Sequence, residues 1–313
     1  MGLLILRRVV STAFVMAFVA LFVFGLLYLA PGDPAAIIAG DLATQADIER
    51  IRRSLGLDQP FHTQFLSWLG GVLQGDLGTS IFSNKPVSVL IAQRIEPTLM
   101  LTLTTIVFSV VIAVPMGIVA AWRAGSWIDR TVMAFAVMGF SVPVFVFAYV
   151  LIIVFAAQLQ LVPVMGYVSI FESPAGFLQS IALPTVALGV TYIALIARIT
   201  RASMLEAINQ DYIRTAHAKG LGIVPILFRH ALRNASVPIV TTVGIGIALL
   251  IGGVVVTESV FAIPGLGRLT VDAILRRDYP IIQAVILIFS GIYVLINLLI
   301  DIAYILLDPR IRY

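Results

Sequence analysis

An all-α integral membrane protein with six transmembrane helices is the fold class the sequence predicts, and three observations carry it. Hydrophobic residues make up 60% of the 313 residues and charged residues only 12%, about half of the roughly 25% found in soluble domains. Six segments are apolar over about 20 residues, the length a helix needs to cross a hydrocarbon core. None shows the period-2 alternation of a membrane β-strand. The alternative, a cytosolic enzyme with an oversized core, does not account for so many spanning lengths in one chain.

The predicted spans are residues 9–30, 97–121, 131–157, 180–197, 237–257 and 281–307. The first is longer than the roughly 7–15 apolar residues of a cleaved signal peptide, so it is expected to be a retained helix. The last is long enough to tilt or protrude. Arg7 and Arg8 precede the first span, which puts the N-terminus in the cytoplasm, and six spans return the C-terminus to the same side. Twelve Lys and Arg then lie inside and eight outside, five of those eight within the long segment 31–96, where the positive-inside rule has little force. The expected organisation is an N-terminal transmembrane helix (1–30), an extracytoplasmic segment (31–96), and a core (97–313) with a cytoplasmic loop at about 201–236.

The segment 31–96 is polar enough to fold in water. Pro31-Gly-Asp-Pro34 is a turn signal that ends the first helix. Ile48, Ile51 and Leu55 recur at helical spacing over 46–55, with Gly56 as the stop. Residues 61–73 form a second short amphipathic helix. This segment reads as a small cap on the spans.

The loop between the fourth and fifth spans carries the sharpest signal. Asp211-Tyr-Ile-Arg-Thr-Ala-His-Ala-Lys-Gly-Leu221, continued by Arg229-His-Ala-Leu-Arg-Asn-Ala235, is a basic, helix-forming island between two apolar stretches. Asp211 suits an N-cap and Gly220 the position past a helix C-terminus. Lys219, placed in the last turn, favours the negative end of the helix dipole. A second helix is expected over 226–235, after Gly222 and Pro225. One reading is a solvated loop that merely obeys the positive-inside rule. The other is a packed element: small residues such as Ala216, Ala218 and Gly220 let another protein approach closely.

Other polar positions carry two readings each. Asp301 lies inside the sixth span, one turn from Asn297, as a pathway group or as half of a helix–helix hydrogen bond. Glu258 lines an outer vestibule or pairs with Arg268. Ser141-Val-Pro143 and Pro115 interrupt the third and second spans, lining a pore or simply bending helices. Gly244, Gly246, Gly252 and Gly253 make the fifth span a small-residue contact surface. The loop 261–268, with its Pro264-Gly265 turn, is expected to be re-entrant or interfacial.

Several function classes are excluded. The chain has no cysteine and three histidines, His62, His217 and His230, all outside the spans. No nucleophile constellation or convincing metal set follows from them, and no enzyme activity is expected of this chain. It has no Gly-x-x-x-x-Gly-Lys-Ser/Thr phosphate loop, so it is expected to bind neither ATP nor Mg itself.

The basic island resembles the cytoplasmic EAA loop of permease subunits of binding-protein-dependent ABC importers. Arg214-Thr215-Ala216 stands where the general motif has Glu-Ala-Ala, and Gly220 follows Ala216 by the motif's four-residue step. Only the last Ala of the triplet is kept, and Pro238 closes the motif at a distance similar to the dipeptide/oligopeptide/nickel branch. His217 stands where that branch often has Arg. Pro31-Gly-Asp-Pro34, Leu55-Gly-Leu-Asp-Gln-Pro60, Gly75-Asp-Leu-Gly78 with Ser80, and Pro97-Thr98 are similar to the first permease of that branch. So are Phe261-Ala-Ile-Pro-Gly-Leu-Gly-Arg268, Arg277-Asp-Tyr-Pro280, Asn297, Asp301 and Asp308-Pro-Arg310.

This resemblance implies a type I ABC importer permease fold in a bacterial inner membrane, forming half of a translocation pathway for di- or oligopeptides. It implies a homologous second permease, two ABC ATPase subunits that bind ATP and Mg, an extracytoplasmic solute-binding protein, and no nucleic acid. The coupling role falls on Arg214, Thr215, Ala216, Lys219, Gly220 and Leu221. Ser141, Glu258, Asn297 and Asp301 are the candidate pathway or helix-contact positions. Nickel and glutathione are the alternative cargoes. A self-contained secondary transporter is disfavoured because no span carries a clear proton-relay set.

Overall fold

The structure is a computed structural model and describes residues 2–29, 35–36, 44–54 and 58–307. The turn signal at 31–34, the stop at 55–57 and the Asp308-Pro-Arg310 motif lie outside the described residues. Apart from an isolated bridge between Thr79 and Pro86, the described regular structure is helical. In chain order it runs α1 (Gly2–Leu29), α2 (Gln45–Ser54), α3 (Phe61–Leu73), α4 (Val87–Trp122), α5 (Trp127–Ser141) and α6 (Val144–Leu151). Then come α7 (Pro174–Ile208), α8 (Asp211–Ala218), α9 (Leu232–Val260), α10 (Leu266–Arg276) and α11 (Tyr279–Leu307).

Four helices are long and apolar enough to cross a membrane without a break: α4, α7, the helix running from Ile223 into α9, and α11. The third predicted span is instead a pair, α5 and α6 with its π-helical continuation Ile152–Gln158, bent by 102°. The physical cause is Pro143. The residue before a proline is pushed out of the α region, and Val142 is extended, with φ −93° and ψ 121°. Counted as one span, this pair makes five, and the described apolar stretch of α1, Val10–Leu26, is shorter. Pro115, by contrast, sits inside an unbroken α4.

The chain divides into two compact units. The first comprises residues 1–94 and 269–294. Within it, Phe24 of α1 is buried and meets Phe61, Phe65 and Trp68 of α3, with ring centroids 5.3, 5.5 and 5.3 Å away. Such aromatic contacts add to their burial energy, and they hold α3 to the first helix. Two motifs distant in sequence also meet here. The Ser80 hydroxyl donates to the buried Asp278 carboxylate at 2.5 Å, and a Cβ added at Gly78 would lie 3.6 Å from Pro280.

The second unit comprises 95–268 and 295–313. Its centre is α7, buried along most of its length from Phe177 to Ala207. Glycines set how closely helices approach it. A Cβ at Gly253 of α9 would lie 2.8 Å from Leu188, and one at Gly246 would lie 3.2 Å from Tyr192. Gly244 meets Ile300 of α11, whereas Gly252 faces open space. The small-residue surface of the fifth span is therefore a helix-contact surface at three of its four positions.

Candidate functional site

The loop between α7 and α9 is built from α8. The expected N-cap, Asp211, is instead the first helical residue. Gln210 occupies the cap with extended backbone, φ −77° and ψ 151°, and makes no side-chain cap bond. Asp211 lies 3.3 Å from Arg214 across one exposed turn, a solvated pair that contributes little. At the other end the helix stops at Ala218, so Lys219 is the C-cap rather than part of the last turn. Gly220 then turns left-handed at φ +79°. Its N–H bonds the His217 carbonyl at 2.9 Å, and the Leu221 N–H bonds the Ala216 carbonyl at 3.2 Å. These two crossed bonds are a Schellman motif, which satisfies carbonyls left open at a helix end.

The helix is two-faced. Ile213 and Ala216 are buried in a cluster with Ile118 and Ala121 of α4, Met204 and Ala207 of α7, and Ile226 and Ala231 after the turn. Leu221 packs half-buried against the same cluster. Arg214, Thr215, Lys219 and Gly220 are exposed. The six coupling candidates thus divide: Ala216 and Leu221 hold the helix down, and the other four form its free face. The second helix expected over 226–235 is not separate. A turn at Ile223–Pro225 and a π-helical stretch, Ile226–Ala231, run directly into α9.

At the foot of α7 is a feature the sequence did not single out. Arg201 makes a two-pronged ion pair with Asp129 of α5, through Nε to Oδ1 and through Nη2 to Oδ2, the latter at 2.7 Å. The Gly125 N–H adds a third donor at 2.9 Å, and Asp129 is only 4% exposed. An Asp after a Ser N-cap reads as ordinary helix-start chemistry, which is why only the fold reveals its partner 72 residues away.

At the opposite end of α9, Glu258 is fully buried. The Thr98 hydroxyl donates to Oε1 at 2.5 Å and the Arg268 main-chain N–H to Oε2 at 3.0 Å. The Leu266 N–H donates to Thr98 Oγ1 at 2.8 Å. Glu258 is therefore buried rather than open to an aqueous vestibule in this chain, and it meets Arg268 through the Arg268 backbone N–H. It binds the 261–268 segment, which is a turn entering α10 with Phe261, Ile263 and Leu266 buried. A Cβ at Gly265 would overlap the Glu258 carboxylate, and one at Gly267 would lie 2.6 Å from Val255 Cα. Glycine is required there by contact.

Next to Thr98, Glu96 accepts from Tyr167 at 3.0 Å and Ser169 at 2.6 Å. Burial, and then the Glu96 carboxylate, raise the Tyr167 hydroxyl well above the ordinary tyrosine range. Ser141 is exposed at the bend, its hydroxyl bonded to the Val137 carbonyl at 2.9 Å. Asn297 is exposed and Asp301 half-buried on α11. Among the described residues no group of three His, Asp or Glu side chains is placed to hold a metal ion.

A family model described as "Binding-protein-dependent transport system inner membrane component" matches residues 113–313, and its N-terminal companion matches residues 1–102. The chain belongs to this family. It is a multi-pass inner membrane protein, the permease component of an ABC transporter, which implies ATPase and membrane partner subunits. A probable peptide ABC transporter permease of Sinorhizobium fredii is 55% identical over the full length of both chains. A putative peptide transport system permease of Brucella abortus is 46% identical, again over the full length of both. The glutathione transport system permease GsiC of Salmonella choleraesuis is 42% identical over 99% of this chain and 98% of that one. Among solved structures, the inward-facing MetNI methionine ABC transporter aligns with a TM-score of 0.58 at 21% identity, covering 70% of this chain and 96% of its own. That likeness establishes the fold.

Proposed function

We propose that this chain is half of the translocation pathway of an ATP-driven importer of di- or oligopeptides, with α8 as the helix that docks on a partner ATPase. The observation that carries the reading is the two-faced α8. Its apolar side is fixed into α4, α7 and the start of α9, and its polar side, Arg214, Thr215 and Lys219, is left free beside a left-handed Gly220. A merely solvated loop needs neither the Schellman stop nor the buried Ile213. On this reading both termini and α8 are cytoplasmic, a second permease completes the pathway, and two ATPase subunits bind ATP and Mg. This chain itself takes no cofactor and catalyses no reaction. An extracytoplasmic binding protein delivers the cargo.

Peptide cargo is supported by the two relatives sharing 55% and 46% identity. Glutathione, itself a small peptide, is the second reading, favoured by the 42% identical relative. The test is purification of the assembled complex from its native membrane, with co-purifying subunits and bound ligand identified by mass spectrometry. Two ATPases and a peptide support the reading. A chain that purifies alone and drives ion-gradient flux in liposomes refutes it.

A further inference from the structure

We infer that Asp129 and Arg201 are positioning residues, a strut that carries displacement of α8 into the bent α5–α6 pair. The inference rests on the coupling reading of α8. A force on α8 enters α7 through the cluster in which Ile213 and Ala216 pack on Met204 and Ala207. Arg201 lies on the same helix, one turn before Leu205, which packs half-buried against that cluster. Among the described residues, no member of that cluster comes from α5. The first turn of α5 meets the foot of α7 through the Asp129 carboxylate, which accepts from two guanidinium nitrogens and from Gly125.

Two further observations make this a strut rather than a surface pair. Close helix contact keeps α7 in line on either side. A Cβ at Gly117 of α4 would lie 2.6 Å from Thr200 Cβ, and one at Gly139 of α5 would lie 2.9 Å from Ala194 Cβ. Beyond Gly139 the pair breaks at Val142–Pro143, beside a cavity of ≈ 150 Å³ lined by Phe135, Met138, Val142, Phe147, Ala187 and Val190. The segment from α8 to Ser141 is therefore tied into one block, and the next point with room to move is the bend. A planar guanidinium held by two prongs transmits rotation as well as translation, which a lysine point charge does not.

The test uses the assembled complex with both permeases, the ATPases and the binding protein, with labelled alanylalanine and glutathione as probes. The Asp129→Asn complex is expected to hydrolyse ATP while the ratio of peptide imported to ATP hydrolysed falls at least about fivefold, the low end of ordinary coupling energies. Asp129→Glu is expected to restore much of that ratio. Because the chain has no native cysteine, spin labels at Trp127→Cys and Val224→Cys report the α5-to-loop distance in a background of cysteine-free partners. ATP is expected to leave that distance unchanged with Asp129 present and to shift or broaden it with Asn. An unchanged ratio and distance in Asp129→Asn, or a parallel loss of uptake and hydrolysis at constant ratio, overturns the strut. If Asp129→Asn does not assemble, Asp129→Leu/Arg201→Met replaces the pair by apolar groups, and a normal ratio there likewise overturns it. Gly220→Trp in the same preparation separates the two claims. If it keeps the ratio, the coupling reading of α8 fails. If it loses the ratio while Asp129→Asn keeps it, only the strut fails.

Discussion

Replacing Gly220 separates what the backbone needs from what a docked partner needs. Gly220 sits at φ +79°, and a Cβ there would meet no atom within 4 Å. The cost of Gly220→Ala within this chain is therefore conformational, about 1–2 kcal/mol for an L-residue held left-handed. That is roughly a five- to thirtyfold loss in the population of the correctly stopped helix. Gly220→Asn is expected to cost less, because Asn tolerates the left-handed region. Gly220→Trp carries a similar backbone penalty to Ala but places a large ring on the exposed face beside Lys219. The assay is substrate-stimulated ATPase and uptake in proteoliposomes, with hydrogen exchange of the Gly220 and Leu221 amides as the local readout. The expected order of coupling is wild type, Asn, Ala, Trp, with Trp abolishing coupling beyond what its loss of amide protection explains. A Trp variant with full substrate-stimulated ATPase and uptake refutes the docking assignment. A Trp variant no worse than Ala means that only the turn matters.

Three further outcomes follow from buried contacts. Ile213→Ala empties the apolar side of α8 at a residue 2% exposed, and a loss of about 2–5 kcal/mol is expected for such a truncation. Because the site is local, the readout is proteolytic cleavage between Asn209 and Gly222, expected to rise well before the complex dissociates. Gly265→Ala drives a methyl group into the Glu258 carboxylate. A loss of about 1–3 kcal/mol is expected from overpacking, read as a lowered melting temperature of the detergent-solubilised complex. Thr98→Val is expected to lower it too, by removing the hydroxyl that links Glu258 to the Leu266 N–H.

Much of this protein was legible in the sequence because membrane insertion is a matter of length and composition. The helices α4, α7, α9 and α11 follow from runs of apolar residues that no aqueous loop tolerates. The amphipathic pattern over residues 61–73 has the bounds of α3. The helix–Gly stop of the loop between the fourth and fifth spans followed from local chemistry, since glycine takes the left-handed position of Gly220 without strain. What the sequence left undecided is where each polar group finds its partner. Asp211 looks like an N-cap, yet the cap is Gln210, because the chain leaving α7 turns one residue earlier than propensity suggests. Glu258 looked equally suited to a vestibule or an Arg268 pair, and burial against Thr98 and Gly265 made it an internal latch. Composition also cannot tell a bent pair from a straight span, and the 102° break was decided by Val142 taking an extended conformation before Pro143. The pairing of Asp129 with Arg201 has no local signature. Hydropathy and capping are properties of neighbours in sequence, whereas an ion pair between groups 72 residues apart exists only once tertiary packing has brought them together and buried the Asp129 carboxylate.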